Sequence, residues 1–429
     1  MASLLIIWLL QMFCKIKKPN LPMPTMKSLN IVVLLLTLNS LIYAQTTDCS
    51  KLCIVATATI VKSDIRKGVS PVDGSAKQMG FKTTKLTNDD AITEFNNWKQ
   101  NFTETCPDGS VRVKFDDLTQ TVSEGIGYGM LLAAYHADKG LIDGLWKYYN
   151  AHLDINGLMD WKIEGCTQTR LGSFAATDAE LDVAAALVVA SKQWPATLSY
   201  VADAKVLIGK IKQFETTTSN GLNLLKPGDG FGGASCLNAS YFSPAYYRLF
   251  AQFDNTSAAF WNKMADDSYT LINLNAHSTT GLVSDWQKAD GTPGGASCGV
   301  NYAYNGTRYS YDAARTPWRI AVDYLWWGTP AAKTYIDKVS DWVAGPLGGI
   351  ANVRDGFQQN GTVTGLYQNS TFIGAFAVSA MGSSQSRVDG FTTYFKSLTT
   401  ANDPNYFNRT LRPIYMLTLT KNFWNPINH

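Results

Sequence analysis

The chain has 429 residues, 45% apolar, 12% aromatic and 17% charged, a globular composition long enough for one large domain or two ordinary ones. Its 37 basic residues barely outnumber its 34 acidic ones. Setting aside the four lysines of residues 1–44 leaves 33 basic against 34 acidic residues, so charge offers no case for a nucleic acid or an anionic membrane as partner.

Met26-Lys27 opens a basic stretch, Ile31 to Leu38 is an apolar run, and Ile42-Tyr43-Ala44 ends in a small residue before Gln45. That succession resembles a secretory signal peptide. Residues 1–44 are therefore expected to be removed, and the mature chain to be secreted to the extracellular space or the periplasm. The 25 residues before Met26 carry another apolar run with Lys15, Lys17 and Lys18. An over-extended start codon explains them, with an uncleaved membrane anchor as the alternative. No later segment reaches the roughly 18 apolar residues of a membrane span. Residues 45–76 lack clear periodicity and are expected to form an N-terminal arm ahead of one folded domain over 77–429.

With Cys14 in the removed segment, six cysteines remain, at 49, 53, 106, 166, 236 and 298. An even number in a secreted chain suggests disulfides. The expected pairs are Cys49–Cys53, Cys106–Cys166 and Cys236–Cys298, with free buried thiols as the alternative.

From about residue 88 helical patterns recur, near 88–103, 123–138, 140–152, 178–194, 197–216, 242–252, 255–275, 312–327, 329–345, 369–381, 384–400 and 405–422. No stretch reads convincingly as strand-rich. A Gly-Leu pair recurs at Gly157-Leu158, Gly221-Leu222, Gly281-Leu282 and Gly365-Leu366, each time after a helix. Two of these lead into Asp-Trp, at Asp160-Trp161 and Asp285-Trp286, and the string GGASC occurs at 232–236 and 294–298. A repeated helix–connector–loop–helix unit stacks on its neighbours. Twelve helices permit closure into six hairpins, an all-α (α/α)6 barrel, with an open solenoid as the competing architecture. In such a ring every even-numbered helix lies inside, and the even N-termini share one mouth.

Acidic groups stand at those N-termini. Helix 2 opens with Ser123 as N-cap and Glu124 next. Helix 4 opens with Thr177 as N-cap, Asp178 and Glu180, which fits a capping box. Asp182 lies one turn beyond Asp178 on the same face and is placed to orient it. Asp312 precedes the first turn of helix 8, which Pro317 marks. Any one of these acids alone is adequately explained as complementing a helix dipole. Three converging on one mouth suit glycoside hydrolysis, which needs one carboxyl held protonated and another ionised. Neighbouring charge and burial separate such pKa values. Aromatic faces for stacking on pyranose rings are supplied by Trp161, Phe231, Tyr241, Trp286, Tyr302, Tyr304, Tyr309, Tyr311, Tyr367 and Tyr406. Each taken singly is as well explained by loop packing.

Other chemistries find little support. Four histidines and no HExxH or paired CxxC argue against a transition-metal site. No G-x-S-x-G is present, and GIGYG at 125–129 is not a dinucleotide fingerprint. Neither a metal nor a cofactor is expected.

Three stretches, SEGIGYGM at 123–130, ATDAELDVAAALVVA at 176–190 and YDAARTPWRIAVDY at 311–324, make residues 80–425 resemble glycoside hydrolase family 8. The resemblance implies an (α/α)6 barrel, an inverting mechanism and a β-1,4-linked polysaccharide as partner. It implies Glu124 as general acid, Asp312 as the base of the cellulase-type subgroup, and Asp178 as the carboxylate that holds the sugar at the cleavage site. Trp161, Tyr241, Tyr311, Arg315 and Tyr406 match sugar-binding positions. Tyr311 and Arg315 flank Asp312 and are expected to hold both it and the water. Two features depart from the family pattern: Phe231 stands where some members carry a stacking tryptophan, and the paired GGASC loops are additional. The expected activity is that of a monomeric endo-β-1,4-glucanase on cellulose-like or mixed-linkage glucan. Chitosanase, xylanase and lichenase are alternatives within the class, and a non-catalytic polysaccharide-binding protein is the alternative outside it.

Overall fold

The computed structural model describes residues 78–295, 298 and 306–428. The expected signal segment, the N-terminal arm and the Cys49–Cys53 pair lie outside these residues, as do Tyr302 and Tyr304.

Twelve α-helices are present among the described residues: α1 (Asn88–Phe102), α2 (Ser123–Tyr135), α3 (Lys139–Ala151), α4 (Thr177–Gln193), α5 (Ser199–Phe214), α6 (Pro244–Phe253), α7 (Ala258–Asn275), α8 (Thr316–Trp327), α9 (Pro330–Ala344), α10 (Ser370–Ser379), α11 (Gln385–Ser397) and α12 (Tyr406–Leu419). Helix α2 packs on α4, α4 on α6, α6 on α8, α8 on α10, α10 on α12, and α12 returns to α2. The inner ring is closed, which excludes the open solenoid. Each odd-numbered helix backs an inner one: α1 on α12, α3 on α2, α5 on α4, α7 on α6, α9 on α8 and α11 on α10. The architecture is the (α/α)6 barrel.

Sequence dictates the two layers. A helix that is apolar all round must be buried. In α4 every residue from Thr177 to Ser191 is buried, and in α10 every residue is. Outer helix α1, by contrast, buries only Ala91, Phe95, Trp98 and Phe102, one stripe at helical spacing. Its entrance carries a complete capping box between Thr87 and Asp90. Buried tryptophans need partners for their N–H groups. Trp98 donates to Thr410 (3.0 Å) and Trp318 to Thr418 (3.2 Å), both acceptors on α12.

The glycines of GIGYG have a packing role. A Cβ at Gly127 would stand 3.0 Å from the Ala179 carbonyl oxygen, and one at Gly125 2.9 Å from the Tyr406 hydroxyl. They let α4 and Tyr406 approach the backbone of α2.

Seven strands of two to four residues form three small antiparallel sheets among the described residues. These are β1 (Thr103–Thr105) with β2 (Val111–Val113), β3 (Thr121–Val122) with β4 (Lys162–Ile163) and β5 (Arg170–Gly172), and β6 (Thr216–Ser219) with β7 (Leu222–Leu225). All sit in connections. Three of the four Gly-Leu glycines, Gly157, Gly221 and Gly281, are left-handed at φ 76, 77 and 74°, a conformation that suits glycine.

The disulfides Cys106–Cys166 and Cys236–Cys298 form as expected. The second joins the two GGASC copies. The strand-like bridge between Leu237 and Gln287 and the Ala289 N–H donated to the Ala234 carbonyl (2.8 Å) bind the same loops.

Four local expectations are corrected. Ser123 and Thr177 are first helical residues, not N-caps; Val122 and Ala176 hold the cap positions without side-chain bonds. The capping box on α4 does not form, because Glu180 turns to the Tyr149 hydroxyl and the Met159 N–H (3.2 Å). Helix α8 begins at Thr316 rather than at 312, while Asp312 lies upstream of its first turn as expected. Helix α7 begins at Ala258, after a short 3₁₀ turn over Asn255–Ser257.

Candidate active site

Inner helices α2 and α4 and the turn entering α8 deliver Glu124, Asp178 and Arg315 to one point. The guanidinium of Arg315 donates through Nη1 to Glu124 Oε2 (2.8 Å), Asp178 Oδ2 (2.5 Å) and the Tyr128 hydroxyl (2.7 Å), and through Nη2 to Ser240 Oγ (3.2 Å). Arg315 and Asp178 are each 2% exposed, whereas the Glu124 side chain keeps 20% of its surface open. Tyr406 donates its hydroxyl to Glu124 Oε1 (3.2 Å). The second oxygen of Asp178 is buried without a hydrogen-bond partner. A fixed acceptor of that kind suits a ligand hydroxyl.

Asp312 lies three residues before Arg315 and accepts from the indole N–H of Trp286 (2.8 Å). Its chain segment is pinned by Asp285, whose Oδ1 accepts from the Ser310 and Ala313 N–H groups, both at 2.8 Å. The other Asp-Trp pair works alike. Asp160 accepts from the Phe174 N–H (2.9 Å), on the segment leading to Asp178. In each case the aspartate anchors the segment that carries a site carboxylate.

Burial pushes the Glu124 carboxyl up to about 8. Arg315 pulls against that, and the negative charges of Asp178 and Asp312 push with it. A carboxylic acid that remains protonated at neutral pH results, with one-fifth of its surface facing the mouth.

Deeper in the barrel Asp182 pairs with Arg319 through bonds of 2.5 and 2.7 Å. Asp178 and Asp182 are four apart on α4, and Arg315 and Arg319 are four apart at α8. The two pairs make successive rungs between these helices. Burial also raises Glu180 to about 8 and Glu215 well above the ordinary range.

The structure thus gathers Glu124, Asp178, Arg315 and Tyr406, with Asp312 adjoining. Tyr241 joins them: the Arg315 guanidinium carbon lies 5.1 Å from its ring centroid. Trp161 is 39% exposed on the mouth, and the Ser123 N–H beside Glu124 donates to its carbonyl (2.9 Å). The expectation that Tyr311 and Arg315 hold Asp312 is corrected. Tyr311 gives its hydroxyl to Asp355 (3.1 Å) and accepts from Asn369 (3.0 Å), while the hydrogen bonds of Arg315 go to Glu124, Asp178, Tyr128 and Ser240. Tyr309 is fully buried against Phe372 and Phe376, a core residue. Sequence reasoning missed Tyr128 and Ser240, which sit among apolar or small neighbours without a distinguishing pattern. It also missed the Arg319 rung, for which the matched four-residue spacings were the available signal.

Among the described residues no cluster of His, Cys, Asp or Glu could hold a metal ion, and no helix is long and apolar enough to cross a membrane.

The family model for glycosyl hydrolases family 8 matches residues 75–421. The chain belongs to glycoside hydrolase family 8. Endoglucanase 2 of Ruminiclostridium josui is 36% identical over 343 residues, covering 78% of this chain and 71% of that one. Beta-glucanase of Niallia circulans is 32% identical over 346 residues, covering 77% and 84%. The solved β-1,3-1,4-glucanase of Paenibacillus sp. X4 superposes with a TM-score of 0.73 at 29% identity, covering 81% of this chain and 97% of that one. This glycoside hydrolase therefore presents its carboxylates at the N-terminal mouth of the barrel's inner helices.

Proposed function

We propose that this chain is a secreted endo-β-glucanase acting by inversion on β-1,4-linked glucan, cellulose-like or mixed-linkage. The carrying observation is the Arg315 bridge between Glu124 and Asp178, with Glu124 raised to about 8. Glu124 acts as general acid. Its proton passes to the glycosidic oxygen as the bond from that oxygen to the anomeric carbon breaks. Asp312 acts as base, taking a proton from the water whose oxygen bonds to the anomeric carbon from the opposite face. One product gains a hydroxyl of inverted configuration and the other a free hydroxyl. Glu124 is left ionised and Asp312 protonated, and exchange with solvent restores both. Asp178, held by Arg315, offers its unpartnered oxygen to a hydroxyl of the sugar being cleaved.

The β-glucan substrate is supported by the printed activities of the relatives, and the aromatic mouth suits pyranose stacking. Secretion is supported by the signal-like sequence before Gln45 and by two disulfides in the described residues.

The test is a reducing-sugar assay on carboxymethylcellulose, barley glucan, chitosan and xylan, with proton NMR of the fresh product. The glucans should be cleaved and the new reducing end should first be the α-anomer. Asp312→Asn should lose roughly 10²–10⁴-fold in rate while still binding oligosaccharide. A first-formed β-anomer would replace inversion with retention, and full activity in Asp312→Asn would reassign the base.

A further inference from the structure

Phe174 stands in the segment between β5 and α4 with φ +70°. That left-handed region is costly for a bulky side chain and free for glycine. Three hydrogen bonds hold it there. Its N–H donates to Asp160, its carbonyl accepts from the Trp161 N–H (2.8 Å), and the next N–H, of Ala175, donates to Asp229 (2.8 Å). Asp160 is itself 2% exposed.

Phe174 is 44% exposed and lies outside the buried core. A glycine would make the same turn with less strain. Strain that the surroundings enforce, carrying a side chain that folding does not need, points to function. The ring also has a built seat. It lies on Gly230, where a Cβ would come within 2.4 Å of it. The neighbouring Phe231 ring, 40% exposed, lies on Gly228 in the same manner, at 2.5 Å. Trp161, 39% exposed, lies over Gly172 at 2.3 Å. Three exposed rings thus each rest on a glycine, on loops that backbone hydrogen bonds and the Phe174–Gly230 contact tie together. Their backbone is tied to the Glu124 mouth, because the Ser123 N–H binds the Trp161 carbonyl and the Trp161 N–H binds that of Phe174.

We propose that Phe174 is a sugar-stacking residue, forming with Trp161 and Phe231 an aromatic rim that carries the polysaccharide strand away from the cleavage point. The apolar C–H face of a pyranose fits such a rim, and its continuity with the Glu124 mouth selects the substrate chain as its occupant. This inference rests on the β-glucan reading above.

Phe174→Gly separates the roles, since it removes the ring and relieves the backbone together. The expected result is a melting temperature equal to or above that of the wild type. KM on barley glucan should rise by about 3- to 10-fold, with little change on a short oligosaccharide that does not reach Phe174. Phe174→Ala should show the same loss of affinity without the gain in stability, and Phe174→Trp should restore affinity. Unchanged KM in Phe174→Gly overturns the inference, as does a fall in melting temperature with equal loss on short and long substrates. A wild-type dimer that Phe174→Gly dissociates, with hydrolysis intact, assigns the rim to self-association instead. Wild-type enzyme that neither binds nor cleaves barley glucan removes the substrate reading, and this inference with it.

Discussion

Arg319 grips Asp182 by two parallel hydrogen bonds of 2.5 and 2.7 Å, one helical turn below the contact of Arg315 with Asp178. Both residues of the lower rung are 2% exposed or less. Such a pair need not stabilise the fold, because desolvating two charges offsets most of their attraction. Its value lies in orientation. Asp182 fixes α4 against α8, and the same two helices set the distance between Asp178 and Arg315.

Removing one partner should therefore be severe. Arg319→Met leaves Asp182 buried and unpaired and should cost about 3–5 kcal/mol in chemical denaturation. Pairing it with Asp182→Leu should recover most of that stability while kcat stays depressed, because the register of the upper rung is loosened. A double variant with wild-type kcat would reduce the rung to packing alone.

The ring was legible because its signals are redundant. Alternation of wholly buried helices such as α4 with striped ones such as α1 repeats around the barrel, so small errors in helix ends do not alter the topology. The mouth was legible for the same reason: inner N-termini must share one side, and Glu124, Asp178 and Asp312 follow. What stayed hidden depends on three-dimensional neighbours. Thr177 and Glu180 have the spacing of a capping box, yet a buried Tyr149 hydroxyl competes for Glu180. Tyr311 is next to Asp312 in sequence, yet its hydroxyl reaches Asp355. Phe174 stayed hidden because a positive φ leaves no mark on a phenylalanine in the sequence.

As the proposed general acid, Glu124 should set the alkaline limit of catalysis. A general acid must carry its proton, and burial raises this carboxyl from 4.5 to about 8. The acid form is thus populated below about 8 and lost as pH rises through it. The kcat/KM profile of the free enzyme should fall on its alkaline side near that value. Tyr406 donates to this carboxyl, a bond that favours its ionised form. Tyr406→Phe should therefore move the alkaline limb to higher pH, and a shift to lower pH would show that Tyr406 supports the protonated form instead.

Trp286 positions Asp312, the proposed base. Its indole N–H holds Asp312 Oδ2, and its ring lies 6.5 Å from that of Tyr241. Trp286→Phe keeps an aromatic ring in place and deletes the bond. A hydrogen bond to a charged group contributes about 1.5–3 kcal/mol, so kcat should fall by roughly 10- to 100-fold. KM should change little, since the indole N–H is committed to Asp312. A large rise in KM at constant kcat would make Trp286 a sugar platform.

The two disulfides offer a controlled comparison. They span 60 and 62 residues, so chain entropy assigns each nearly the same effect, roughly 4 kcal/mol. Their settings differ. Cys106–Cys166 ties the turn after β1 to the loop between β4 and β5. Cys236–Cys298 joins the loop before Ser240, which touches Arg315, to the loop after Trp286, which holds Asp312. Replacing either pair by serines should lower stability by similar amounts. Only the Cys236–Cys298 variant should also lose kcat at a temperature where both remain folded, because that bridge spans the supports of the proposed acid and base. Equal kcat in the two variants would mean that the bridge between Leu237 and Gln287 suffices to hold those loops together.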